Sequence, residues 1–63
     1  MLDFCKNILT KVSFDRFLFR KELLKAIKRL KSEELSLLYR WCMDQFGSIY
    51  GGIIRRAFNA KLA

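Results

Sequence analysis

Residues 13–31 read SFDRFLFRKELLKAIKRLK, and this stretch decides the fold because one run holds a helix start, an apolar face and a basic face. Asp15 is placed to cap a helix, since its side-chain oxygen can accept from the free N–H groups of the first turn. Phe14 and Phe19 then take the position before the cap and the fourth helical position, the pair that forms a hydrophobic staple. Phe19, Leu23, Ala26, Ile27 and Leu30 recur at three- and four-residue steps and share one face. Lys21, Lys25 and Lys28 share the opposite face, and Arg20, Arg29 and Lys31 extend it. One face wants a core; the other wants an anionic or aqueous surface.

Working outward, Leu2 to Lys11 suits a short first helix with Leu2, Cys5, Ile8, Leu9 and Val12 on one side. About three turns are marginal alone, so this helix must dock. Phe17 and Leu18 lie off the main stripe of the central helix and are expected to pack under the first helix, or else to reach a partner. On the other side, Ser32 is placed to cap a third helix, with Glu33 and Glu34 in the first turn where the helix dipole favours negative charge. The short connection makes the two helices an αα-hairpin. The third helix is expected to run to about Phe46 and to stop at Gly47 in a left-handed conformation. Its stripe is Leu35, Leu38, Tyr39, Cys42 and Phe46, with a second apolar pair at Leu37 and Trp41. A helix apolar on two sides is a hub of the core, and Trp41 reads as a core residue rather than a stacking platform. Ser48 is placed to cap a fourth helix reaching about Lys61, with Tyr50, Ile53, Ile54, Ala57 and Phe58 inward. Gly51 and Gly52 mark either a tight bend or a surface that another backbone approaches.

The chain of 63 residues makes one domain, 1–63, near the lower size limit for folding without metals or disulfides. With 52% hydrophobic and 14% aromatic residues, part of the apolar surface is expected to face a partner. Thirteen Lys and Arg against six Asp and Glu leave a formal charge of +7, which points to nucleic acid or a membrane surface. Two cysteines and no histidine give neither a zinc set nor a CxxC pair, so no metal or cofactor is expected. The first residues lack the apolar core of a secretory signal, and no run reaches the ~18–20 apolar residues of a membrane span. The expected setting is the cytoplasm, with both thiols reduced.

Acid–base or nucleophilic catalysis needs a positioned base and a pocket that shifts its pKa. Without histidine, and with Asp3, Asp15, Glu33 and Glu34 at helix starts, no catalytic residue and no small-molecule substrate are expected. GSIYGG lacks both the spacing and the terminal Lys-Ser/Thr of a P-loop. Two basic surfaces remain. The first is Arg20, Lys21, Lys25, Lys28, Arg29 and Lys31; the second is Arg55 and Arg56 with Asn59 and Lys61. Lysines suit diffuse phosphate contact, whereas arginine forks two bonds onto one phosphate or stacks on a base. The neighbouring glycines would let a phosphate backbone come close. No Asn or Gln series offers a base code, so the pattern suits RNA backbone better than a DNA sequence. The competing readings are a protein–protein adaptor using Trp41, Leu37 and the Phe-rich first turn, and a peripheral membrane binder using the Lys-rich helix.

The run KVSFDRFLFRKELLKAIKRL (residues 11–30), followed by LLYRWCMDQFG (37–47), resembles a group of short bacterial proteins restricted to one lineage. It looks like an accessory protein of the large ribosomal subunit. The resemblance implies ribosomal RNA and neighbouring ribosomal proteins as partners, and it carries no motif that assigns a residue role. The sequence thus predicts an all-α domain, a small bundle of three long helices and a short N-terminal one. Its predicted function is structural: binding of ribosomal RNA backbone through Lys and Arg helix faces.

Overall fold

A computed structural model describes the backbone of residues 1–62 and the side chains through residue 60. The side chain of Lys61, one of the anticipated RNA contacts, lies outside the described residues. The protein is all-α: α1 (Leu2–Lys11), α2 (Arg16–Arg29) and α3 (Ser32–Leu62), with no strand among the described residues.

Helix α2 starts where its cap dictates. Asp15 has extended backbone (φ −130°, ψ 113°), and its Oδ1 accepts from the N–H of Phe17 at 2.9 Å and of Leu18 at 3.2 Å. The anticipated staple does not form. Phe14 is 80% exposed while Phe19 is fully buried, because Phe19 has better partners inside. Its ring stacks on Tyr50 (centroids 4.7 Å apart, 28° between planes) and meets Phe46 edge-on at 5.1 Å. Phe17 and Leu18 do not pack under α1 either, since both are exposed.

Between α2 and α3, Leu30 adopts extended backbone (φ −84°, ψ 151°). The cap of α3 falls one residue earlier than expected. Lys31 holds the cap position, its carbonyl accepting from the N–H of Leu35 at 2.9 Å, and Ser32 is already helical. Glu34 reaches back to accept from the Lys31 N–H at 3.2 Å, the return half of a capping box. A Glu at the third helical position can close the box from its own side, so the hydroxyl of Ser32 is not needed.

The largest departure lies in α3. Gly47 does not stop the helix, and no glycine among the described residues has positive φ. The break comes at Tyr50, whose backbone leaves the helical region (φ −119°, ψ 21°). Gly47-Ser48 and Gly51-Gly52 weaken the helix on both sides of this residue. Tyr50 itself is drawn inward, stacking on Phe19 and donating its hydroxyl to the carbonyl of Ser13 at 2.6 Å. The consequence is a reversal of the chain. A straight helix of this length would span roughly 46 Å, but the molecule is only 27 Å in its longest dimension. Tyr39 and Phe58 meet edge-on with centroids 5.1 Å apart, where a straight helix would hold them roughly 28 Å apart. Helix α3 is therefore two limbs, residues 32–49 and 51–62, covering the expected third and fourth helices.

The first limb runs antiparallel to α2, since Phe46 and Tyr50 pack on Phe19 at the far end of the hairpin. The second limb then runs beside α2 in the same direction: Ile53 and Arg56 lie by Arg16 and Arg20, and Ala57 and Ala60 by Leu24 and Lys28. The core forms where the stripes meet, with Leu9, Phe19, Leu23, Leu38, Cys42 and Ile54 fully enclosed. Trp41 is partly buried against that core, edge-on to Phe46 at 5.5 Å, with the Lys6 ammonium 5.8 Å from its ring centre. Leu37 parts from it and stands 54% exposed. Both cysteines are free and buried. Burial pushes the Cys42 thiol up to about 12 against the opposing pull of Lys6, and burial raises Cys5 as well.

Candidate nucleic-acid interface

Every anticipated cation whose side chain is described is exposed. The fold distributes them over several separate places. Successive residues of an α-helix point about 100° apart, so the helix packed on each side of α2 takes a different subset. Lys25 and Arg29 border α1, where with Phe4, Cys5, Ile8, Glu22 and Ala26 they line a crevice of only about 10 Å³. Lys25 is also paired to Glu22 at 3.6 Å, the one ion pair among the described residues. Lys21 lies on the outer surface. Lys28 borders the second limb of α3 beside Ala57 and Ala60. Lys31 sits at the α2–α3 corner as the cap of α3, roughly 20 Å along α2 from its start. The three lysines expected on one face are thus divided between the α1 border, the outer surface and the second limb of α3.

The concentration of charge lies at the other end of α2. Arg16, Phe17 and Arg20 from α2 and Ile53 and Arg56 from α3 line a cleft of about 300 Å³. Positions 16 and 20 are one turn apart and share a face. Arg56 comes to them because the kink at Tyr50 lays the second limb along that face. Two anchors hold this geometry. The Asp15 cap fixes the first turn of α2, and the Tyr50 hydroxyl ties the kink to Ser13, two residues before that cap.

The charged residues that line the cleft are of one sign. None of the five lining residues is acidic, and α2 has no acid in its first turn. A cation near a helix N-terminus opposes the helix dipole, and Arg16 stands in that turn. None of the three arginines has a carboxylate partner among the described residues. Three guanidinium groups around one concavity, without an ion-pair partner among the described residues, favour an anion. Phe17 adds a ring that is 72% exposed, with the Arg16 guanidinium 5.3 Å from its centre.

The anticipated Arg55–Arg56 pair is split. Arg56 enters the cleft, while Arg55 is exposed but does not line it. Gly52, one turn before Arg56, is exposed, and a methyl group added there would meet nothing within 4 Å. Arg16 and Phe17 are not among the contacts expected from the sequence. The available signal was Arg16 and Arg20 at helical spacing with no acid between the Asp15 cap and Glu22. A second cavity of about 300 Å³ between the two limbs of α3 holds a single cation, Arg40, with Asn59, Tyr39 and Phe58. Among the described residues, no three His, Cys, Asp or Glu side chains gather as a metal site, and no helix is long and apolar enough to cross a membrane.

Searches against protein-family models, curated proteins and solved structures find no match for this chain.

Proposed function

We propose that the chain is a small structural RNA-binding protein of the ribosome, grasping ribosomal RNA backbone in the cytoplasm. The observation that carries this reading is the cleft of Arg16, Arg20 and Arg56, none of which has a carboxylate within ion-pair distance among the described residues. A net charge of +7 on 63 residues supports it. The large subunit is favoured by the resemblance of residues 11–30 and 37–47 to a lineage-restricted ribosomal accessory protein. Lys21 and Lys28 would add diffuse phosphate contact beside the cleft, and Arg55 would add it on the next face of the limb. Phe14, Leu37 and Ile49, each more than half exposed, would rest on neighbouring ribosomal proteins.

The same apolar residues support a second reading, an adaptor that binds another protein through Leu37 and Phe14. Co-sedimentation with ribosomal particles separates the two. An RNA-bound chain is released by high salt, whereas an apolar adaptor is retained. On ribosomal RNA, removing one phosphate-binding cation should also flatten the slope of log K against log salt by about 0.7–0.9. Changing Arg16, Arg20 and Arg56 together to Gln should flatten it by roughly two to three times that amount. Arg55→Gln should do less than Arg56→Gln. A wild-type chain that neither sediments with ribosomes nor binds their RNA at low salt refutes the proposal.

A further inference from the structure

We propose that the cleft between α2 and residues 51–62 takes one unpaired nucleotide, its base stacked on Phe17 and its phosphates held by Arg16, Arg20 and Arg56. The inference rests on the RNA reading above and names the RNA element that the site recognises. A cavity of about 300 Å³ is at the lower end of the range for small-molecule sites, which suits one nucleotide. A paired helix presents a wide, shallow groove and a convex backbone, and these do not enter a concavity between two helices. An unpaired nucleotide, splayed from a loop or bulge, does enter. It also brings the two features that the lining residues ask for together. Its phosphates accept forked bonds from guanidinium groups, and its flat base covers an aromatic ring in water.

Phe17 is otherwise hard to account for. Helix α2 has an apolar face that is fully used by Phe19, Leu23, Ala26 and Ile27, and Phe17 is not on it. The ring is 72% exposed beside three like charges, with the Arg16 guanidinium over it at 5.3 Å from its centre. Ile53 forms the apolar floor on the opposite wall. An acidic peptide would satisfy the charges but would offer no flat face to the ring, so the nucleotide is the better occupant.

The test uses the full chain and two RNA hairpins of equal length, one fully paired and one with a single bulged 2-aminopurine. The bulged hairpin should bind more tightly, with the fluorescence of the bulged base changing on binding. Phe17→Leu, which keeps apolar bulk and removes the ring, should weaken binding of the bulged hairpin by about 5- to 150-fold and leave the paired hairpin unchanged. Phe17→Trp should retain the preference. The exposed position makes all three chains equally folded, which far-ultraviolet circular dichroism checks. If both hairpins bind equally and Phe17→Leu changes nothing, the nucleotide inference falls while the RNA reading stands. If neither hairpin binds at low salt, the nucleotide inference falls, and co-sedimentation with ribosomes decides the RNA reading separately. If an Asp/Glu-rich peptide displaces the bulged hairpin at lower concentration than a uridine oligonucleotide does, the occupant is an acidic peptide and the inference is overturned.

Discussion

Removing one oxygen from Tyr50 tests whether the reversal of α3 is held as described. In Tyr50→Phe the ring remains, with its stacking on Phe19 at 4.7 Å and its tilted packing on Phe46 at 6.5 Å. What disappears is the 2.6 Å bond from the hydroxyl to the Ser13 carbonyl, at a partly buried site. A net hydrogen bond contributes about 0.5–1.5 kcal/mol. For a domain of this size each kcal/mol shifts the melting temperature by roughly 4–8 °C, so a drop of about 2–12 °C is expected. Tyr50→Ala also removes the ring, and aromatic truncations in cores cost about 3–5 kcal/mol. Native stability amounts to about 0.05–0.15 kcal/mol per residue, or roughly 3–9 kcal/mol here. The Ala variant should therefore lose at least about a third of its stability. Thermal and urea denaturation followed by circular dichroism measure both. A Tyr50→Phe chain melting with wild type would show that the hydroxyl does not tether the kink. A Tyr50→Ala chain that melts with wild type would show that the reversal is held elsewhere.

Three further outcomes are expected. Leu38→Ala removes a fully buried side chain from the centre of the core and should cost about 2–5 kcal/mol; an unchanged urea midpoint would remove residues 32–49 from their role as hub. Gly52→Ala should stabilise by about 0.5–1 kcal/mol, because the site is helical, its φ is not positive and the new methyl meets no atom within 4 Å; a lower melting temperature would contradict the helical assignment there. The Cys42 thiol ionises near 9.0 when unfolded and is pushed up to about 12 when folded. The folded state thus holds its proton longer, and the stability linked to it is complete below about 9 and lost as pH rises from there towards 12. Urea midpoints of the wild type should accordingly fall more steeply over that range than those of Cys42→Ala, and parallel curves would show the thiol to be exposed.

The sequence by itself determined what depends on one helix at a time. Capping is a contact between neighbours in the chain, so Asp15 set the start of α2. Helical periodicity assigns each residue to a face whatever packs there, so the buried residues of α2 and, of the expected inward set, Tyr50, Ile54, Ala57 and Phe58 were legible, while Ile53 is only partly buried, at the cleft. Tertiary structure decided whatever required choosing between partners. Phe19 prefers Tyr50 and Phe46 inside the core to Phe14 outside it, because burial of aromatic surface outweighs a staple left in water. Gly47 and the Gly51-Gly52 pair each marked a weak point, but a weak point bends only where something pulls. Tyr50, drawn to Phe19 and Ser13 from another part of the chain, supplied that pull. The same reversal assembled the cleft. Arg16 and Arg56 lie forty positions apart, and no local rule relates them. They meet because the second limb lies along one edge of α2, which leaves Arg55 pointing elsewhere by a single helical step.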